Sequence, residues 1–404
     1  MAIDPDRQLG GSAESVNEEL FDAMIRHQIG LLRVSGRVRD KILRILDATE
    51  ADLTSQIRRI LSRGRSPARL QTLQRTIAAI RGEAWTEAAK VWRDEILAIA
   101  KAEPEFVARA MQAVAPVQLD MILPAVDTLT AIVTSRPFEG RVLGDWARSI
   151  RATDIRRIQD QVNIGITQGE STAAISRRIV GTVRQRGRNG VTEITRRNAA
   201  AITRTAVNHV SNQAKRELFN ANRDILEEEL YVATLDSRTT PVCRSLDGTT
   251  HPVGEGPIPP LHFSCRSLRV ALFNGEALGR RPQRQFTQRQ LIREYNAANG
   301  TSARSRADLP RGHKGRFDDF ARQRMRELTG TVDAKVTYQQ FLERQSREFQ
   351  DDVLGPTRGR LFRDGDLSLD RFVHRDGSEL TLRELAGKEA DAFRAAGLDP
   401  EDFT

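Results

Sequence analysis

An α+β fold, predominantly α-helical with a small β-hairpin/loop module in the central domain, is what the amino-acid sequence predicts. Three observations lead there. Apolar residues recur at three-to-four-residue spacing along most of the 404-residue chain. Aromatics make up only 5% of it, so the cores are expected to be aliphatic and helix-packed. The period turns strand-like in two places, around Leu230 and around Val270, on either side of a proline-broken stretch that holds both cysteines.

The elements follow in order. Residues 1–140 read as an elongated helical region. Leu20, Met24, Ile25 and Leu31 share a helical face, and Ile42, Ile45 and Leu46 continue it. The Ser62–Pro67 stretch breaks the pattern, and Ser66 can cap the helix that follows. A second amphipathic stretch runs from Leu70 to Ala100, after which Pro104, Pro116 and Pro124 are expected to punctuate shorter helices. Pro137–Gly144 marks a boundary, opening a central domain over 141–275. There a helix over about 154–167 should end at Gly169, which tolerates the left-handed cap conformation. Glu170–Ser171 lead into a second helix, and a third spans Val191–Phe219. Leu230, Val232 and Leu235 mark one strand, and Ser267–Phe273 a second. Residues 276–336 read as a basic, flexible linker and 337–404 as a helical tail, with helices over 337–354 and 380–398.

Composition narrows the function. A hydrophobic fraction of 39% with 29% charged residues fits a folded, polar-surfaced chain. No run approaches the roughly 18 apolar residues of a membrane span, and the opening MAIDPDRQLGGSAES lacks the apolar core of a secretory signal. Two cysteines in a chain of this length argue against an extracellular disulfide scaffold and for a reducing cytoplasm. The net charge of +9 and the excess of arginine over lysine suit either a solvated surface or work close to nucleic acid.

The chemistry-bearing residues gather between the two strands. Cys243, His251, His262 and Cys265 have the donor types zinc prefers, spaced C-x7-H-x10-H-x2-C, without a close C-x2-C knuckle. The same four fit other readings: a disulfide staple, a proline-rich loop with buried thiols, or a Cys265–His262 nucleophile pair. They also fit a metal-dependent DNA-processing nuclease, with His251 or His262 as base and Asp247 in support. The neighbouring residues have mechanical roles. Asp236 suits an Asx turn, Arg238 lies close enough to pair with a carboxylate, and Asp247–Gly248 is a hairpin-turn signal. Pro257, Pro259 and Pro260 force an extended approach to His262, and Arg266 can clamp an acidic group.

From Gly165 to Leu272 the order of these features resembles the phage Mu F-type head morphogenesis (minor head, minor capsid) family of tailed bacteriophages. A GIT-QGES turn leads into ISRRI, then AITRTAVNHVSNQAKRELF, then a strand entering a D-x-R-T-C-x-x-C pattern, L-D-G, and a closing P-P-x-H-x-x-C-R. Here Asp236, Arg238, Thr239, Cys243, Leu246, Asp247, Gly248, Pro259, Pro260, His262, Cys265 and Arg266 fill those positions in order. Thr240 stands where many relatives carry the first cysteine, which removes one possible ligand. The resemblance implies a non-enzymatic, low-copy virion component inside the head near the portal, assembled in the host cytoplasm. Its implied partners are the portal protein, the major capsid or scaffolding protein, and packaged double-stranded DNA during packaging or ejection, with no membrane. Structural zinc is the one cofactor in view. Arg280, Arg281, Arg284, Arg304, Arg306, Arg311, Lys314 and Arg316 are the candidate DNA or portal contacts, with a solvated linker as the competing reading.

Overall fold

The computed structural model describes residues 13–115, 118–185, 187–226, 228–272 and 280–403. The first twelve residues, Pro116 and the junction over 273–279, on which sequence expectations fall, lie outside that set. Among the described residues no helix is long and apolar enough to cross a membrane.

Six helices precede the central one: α1 (Ala13–Ala48), α2 (Glu50–Leu61), α3 (Pro67–Val114), α4 (Val126–Thr134), α5 (Leu143–Thr167) and α6 (Thr172–Val180). Along α1 the predicted stripe is buried, with Leu20, Met24, Leu31, Ile42 and Leu46 all inside. The break expected at Pro104 does not occur. Helix α3 passes straight through it. An internal proline removes one helical hydrogen bond and crowds the preceding turn, but Ala100, Val107 and Met111 on either side are fully packed, and that tertiary burial outweighs the local cost. The end of α5 matches the expectation: Gly169 takes φ +70°, and Ser171 caps α6 by accepting from Ala174 N at 3.2 Å.

Helix α7 (Thr192–Ala221) lies at the centre. Every residue from Thr205 to Asn212 is buried, so it has no solvent face there. One apolar cluster runs from Leu31 through Trp92, Phe138 and Ile150 to Ala214, crossing residue 140 without interruption. A second joins Leu20 and Phe21 of α1 and Met111 of α3 to Leu218 of α7 and to the sheet.

That sheet is formed by β1 (Glu228–Val232), β2 (Thr250–Pro252) and β3 (Leu268–Leu272), with a short helix α8 (Pro241–Leu246) between the first two. The order is β2-β1-β3, antiparallel throughout, pairing Glu229 with His251 on one side and with Ala271 on the other.

Residues 280–333, expected as a flexible linker, are folded. Strand β4 (Arg280–Arg284) pairs with β5 (Thr329–Asp333), and α9 (Gln288–Asn299) and α10 (Arg311–Glu327) lie between them. The apolar residues are few but converge: Leu291, Ile292, Tyr295, Leu309, Phe317 and Ala321 form one buried cluster. The rings of Phe317 and Phe320 meet Tyr295 edge-on at 5.3 and 5.6 Å. The arginine-rich average composition concealed this small core. Helices α11 (Tyr338–Glu343), α12 (Arg347–Leu354), α13 (Pro356–Asp364), α14 (Leu382–Lys388) and α15 (Ala390–Ala395) complete the chain. Capping boxes at Thr337–Gln340 and Thr381–Glu384 start α11 and α14. The single helix expected over 337–354 is two, because Ser346 caps a fresh start at α12.

Candidate functional site: the cysteine–histidine clasp

Past β1 the backbone turns at Asp236, whose Oδ1 accepts from Arg238 N at 3.0 Å, closing the predicted Asx turn. The same carboxylate accepts from Arg266 Nη1 and Nη2 at 2.5 and 2.7 Å, a planar fork joining the two ends of the clasp. Burial works against the charged carboxylate, but Arg266 outweighs it and holds Asp236 below the usual range. Tyr338 Oη donates to Asp236 O at 2.8 Å.

Helix α8 starts with Pro241 at its first turn and carries Cys243 inward. Around its sulfur lie Tyr231 Oη and His262 Nε2, both at 3.3 Å, and Cys265 Sγ at 3.8 Å. The thiols are free and buried. Cys265, hydrogen bonded to Cys243, keeps the Cys243 thiol well below its ordinary range, and the same hydrogen bond, with burial behind it, pushes Cys265 up. Burial disfavours the His262 imidazolium, but Cys243 outweighs that and raises it. His262 Nδ1 lies 2.9 Å from Phe263 O, so a proton there leaves Nε2 facing the sulfurs, the orientation a metal-ligating imidazole takes.

Helix α7 holds the returning loop in place. Asn208 Nδ2 donates to Cys265 O at 2.8 Å and to Ser267 O at 3.2 Å, and Thr205 Oγ1 accepts from Ser264 N at 2.9 Å. Sequence reasoning did not single out these residues or Tyr231. The available signal was the polar run Thr205, Asn208, Ser211 and Asn212 along a helix otherwise spaced for burial.

Of the four sequence-predicted ligands the structure brings three together. The donor atoms of Cys243, His262 and Cys265 lie within 4.8 Å of one another. His251 is not with them: β2 holds it opposite Glu229, and its Nε2 lies 3.0 Å from Thr249 Oγ1. The three fit zinc. Sulfur bonds of about 2.3 Å at tetrahedral angles put two thiolates about 3.8 Å apart, and here they are 3.8 Å apart. Thr240 Oγ1 is buried with no hydrogen-bond partner, three residues before Cys243, where the metal knuckle of a C-x-x-C pattern would place its first sulfur.

Asp247 is a structural anchor. Its oxygens accept from Arg281 Nη1 and Nη2 at 3.0 and 2.8 Å, from Ala233 N at 2.7 Å and from Tyr338 N at 2.6 Å. With all four donors in place it does not support a histidine base. Gly248 follows at φ +84°, but the pair ends α8 ahead of β2, with Asp247 at φ −62°, instead of forming the hairpin turn the sequence suggests. Pro260 follows Pro259 through a cis peptide bond.

Residues 156–269, from α5 to β3, match the family model described as Phage Mu protein F like protein. This segment is similar to the phage Mu F-like family, which supports a head morphogenesis protein. No curated protein and no solved structure matches the chain.

The Mu F-like segment thus contains the whole clasp, while the basic residues predicted to contact DNA or portal follow it and are scattered. Arg281 is a correction: it is 3% exposed and bound to Asp247, so it is not a surface contact. Arg284 sits at the clasp, 3.8 Å from Asp236. Arg280 donates to Thr331, Arg306 pairs with Asp318 at 2.5 Å, and Lys314 Nζ donates to Ala307 O at 2.6 Å. Arg304, Arg311 and Arg316 are exposed.

Proposed function

We propose that the protein is a minor capsid component of a tailed phage, a low-copy structural protein that docks in the head near the portal during procapsid assembly. The observation that carries this reading is the Mu F-like match over the segment whose C-terminal third forms the clasp. The two buried carboxylates of the clasp are spent on cross-linking. Asp236 ties Arg266 to the strand end, and Asp247 ties Arg281 and Tyr338 to it. Such a clasp presents a fixed shape, which assembly requires. Quantitative mass spectrometry of purified particles tests the reading. A few copies per particle are expected, and absence from the particle overturns it.

The clasp fits one zinc ion held by Cys243, His262 and Cys265, and when bound the ion would supply a structural cross-link between α8 and the loop before β3. Tyr231 and Asn208 keep the sulfur and the loop backbone oriented for that task. Thr240→Cys places a fourth soft donor at the buried, unpartnered hydroxyl. Its expected effect is tighter zinc binding by about tenfold or more, read by competition with a chelating dye. Unchanged affinity in Thr240→Cys would mean that residue 240 does not reach the ion, and no zinc uptake by either protein would remove the metal from the reading and leave the hydrogen-bonded clasp.

A further inference from the structure

A cleft of 780 Å³ opens beside the clasp between α1, α7 and β4. Six arginines line it: Arg33, Arg204, Arg238, Arg266, Arg281 and Arg284. Among the described residues only two carboxylates answer them, since Asp236 forks to Arg266 and Asp247 to Arg281. Arg238 and Arg284 share the already occupied Asp236 at 3.6 and 3.8 Å. Arg204, half-buried on α7, has no carboxylate at ion-pair distance among the described residues; burial, Arg238 and Arg266 all press against its charge. The cleft therefore holds guanidinium groups waiting for acceptors.

Two further features say what kind of molecule supplies them. Gln28 is 6% exposed and faces the cleft; its amide nitrogen donates to Arg266 O at 3.3 Å, which leaves its buried Oε1 without a donor. A ligand that brings an N–H as well as anions would satisfy that oxygen once the Gln28 side chain turned toward it. At the rim Ile29 and Phe263 stand 39% and 40% exposed, above Leu32 and Leu268. A phosphodiester backbone offers acceptors alone and no apolar group. A peptide offers carboxylates, backbone N–H groups and apolar side chains together.

We infer that this cleft binds an acidic peptide segment of a partner protein, carboxylates on the arginine wall and an apolar side chain between Ile29 and Phe263. The inference does not depend on which particle the protein enters. Fluorescence anisotropy with the full chain tests it. The probes are a short labelled peptide alternating Glu with Leu and Phe, the same peptide with Gln for Glu, and one with Ser for Leu and Phe. Both controls should bind about tenfold more weakly or worse. Arg204→Gln and Arg33→Glu should each weaken the first peptide about tenfold, with melting temperature unchanged. If Arg204→Gln lowers melting, the exposed Arg33→Glu carries the test alone. Binding indifferent to Arg33→Glu, equal binding of the three peptides, no binding at millimolar peptide, or displacement of the peptide by a short DNA duplex would each overturn the proposal.

Discussion

Replacing Asp247 with alanine should cost about 3–5 kcal/mol and detach the C-terminal helices from the central sheet. The carboxylate is fully buried and Arg281 is 3% exposed. Alanine leaves that guanidinium uncompensated in the interior, together with the backbone N–H groups of Ala233 and Tyr338. Arg281 Nη1 keeps Val336 O at 3.2 Å and Nη2 keeps Ala233 O, but neither neutralises its charge. A lowered urea midpoint and earlier proteolytic cleavage near Ala334–Val336 are the expected readouts. Asp247→Asn preserves the shape, and should lie between wild type and alanine because one acceptor oxygen becomes a donor facing donors. A loss below about 1 kcal/mol for alanine would mean that solvent reaches the pair, contrary to the burial described.

Much of the fold and part of the site could be read from local sequence, and the division has a physical basis. What was legible depends on near neighbours. The C-terminal end of α5, the ends of α7, the strands near Leu230 and Val270, the Asx turn at Asp236 and the positive φ at Gly248 are set within a few residues. What was not legible depends on pairing across the chain. His251 is the right residue type for a ligand, but the register of β2 on β1 carries it away from the sulfurs. Arg281 looks like one more basic residue until Asp247, 34 positions earlier, is placed against it. The small core around Tyr295 draws on Leu309 and Phe317 across a polar loop, so local hydropathy averages hide it. Pro104 is a helix breaker by propensity, and only the packing of α1 and α7 against α3 keeps the helix continuous.

A comparable loss, about 3–5 kcal/mol, is expected for Asp154→Ala. Asp154 is 1% exposed and Arg81 2% exposed, joined at 2.7 Å. The carboxylate also accepts from Trp85 Nε1 at 2.9 Å and from Thr195 Oγ1 at 2.7 Å. Arg81 in turn donates to Leu46 O and Thr49 Oγ1, both at 2.9 Å. One anion therefore holds the α1–α2 junction, α3, α5 and α7 in a single arrangement. Removing it strands a buried guanidinium and an indole N–H, whereas replacing both Arg81 with Met and Asp154 with Leu removes the charges in pairs and should cost less than the single change. The comparison by denaturant midpoints is decisive, because a double variant weaker than Asp154→Ala would mean that packing, not charge pairing, sets the cost. Asp154 lies two residues before the Mu F-like match begins. Loosening this anchor should also loosen α7, and with it the Asn208 and Thr205 hydrogen bonds that hold the clasp loop. The N-terminal helices thereby support the clasp through this buried ion pair as well as through the direct contact of Gln28 with Arg266 O.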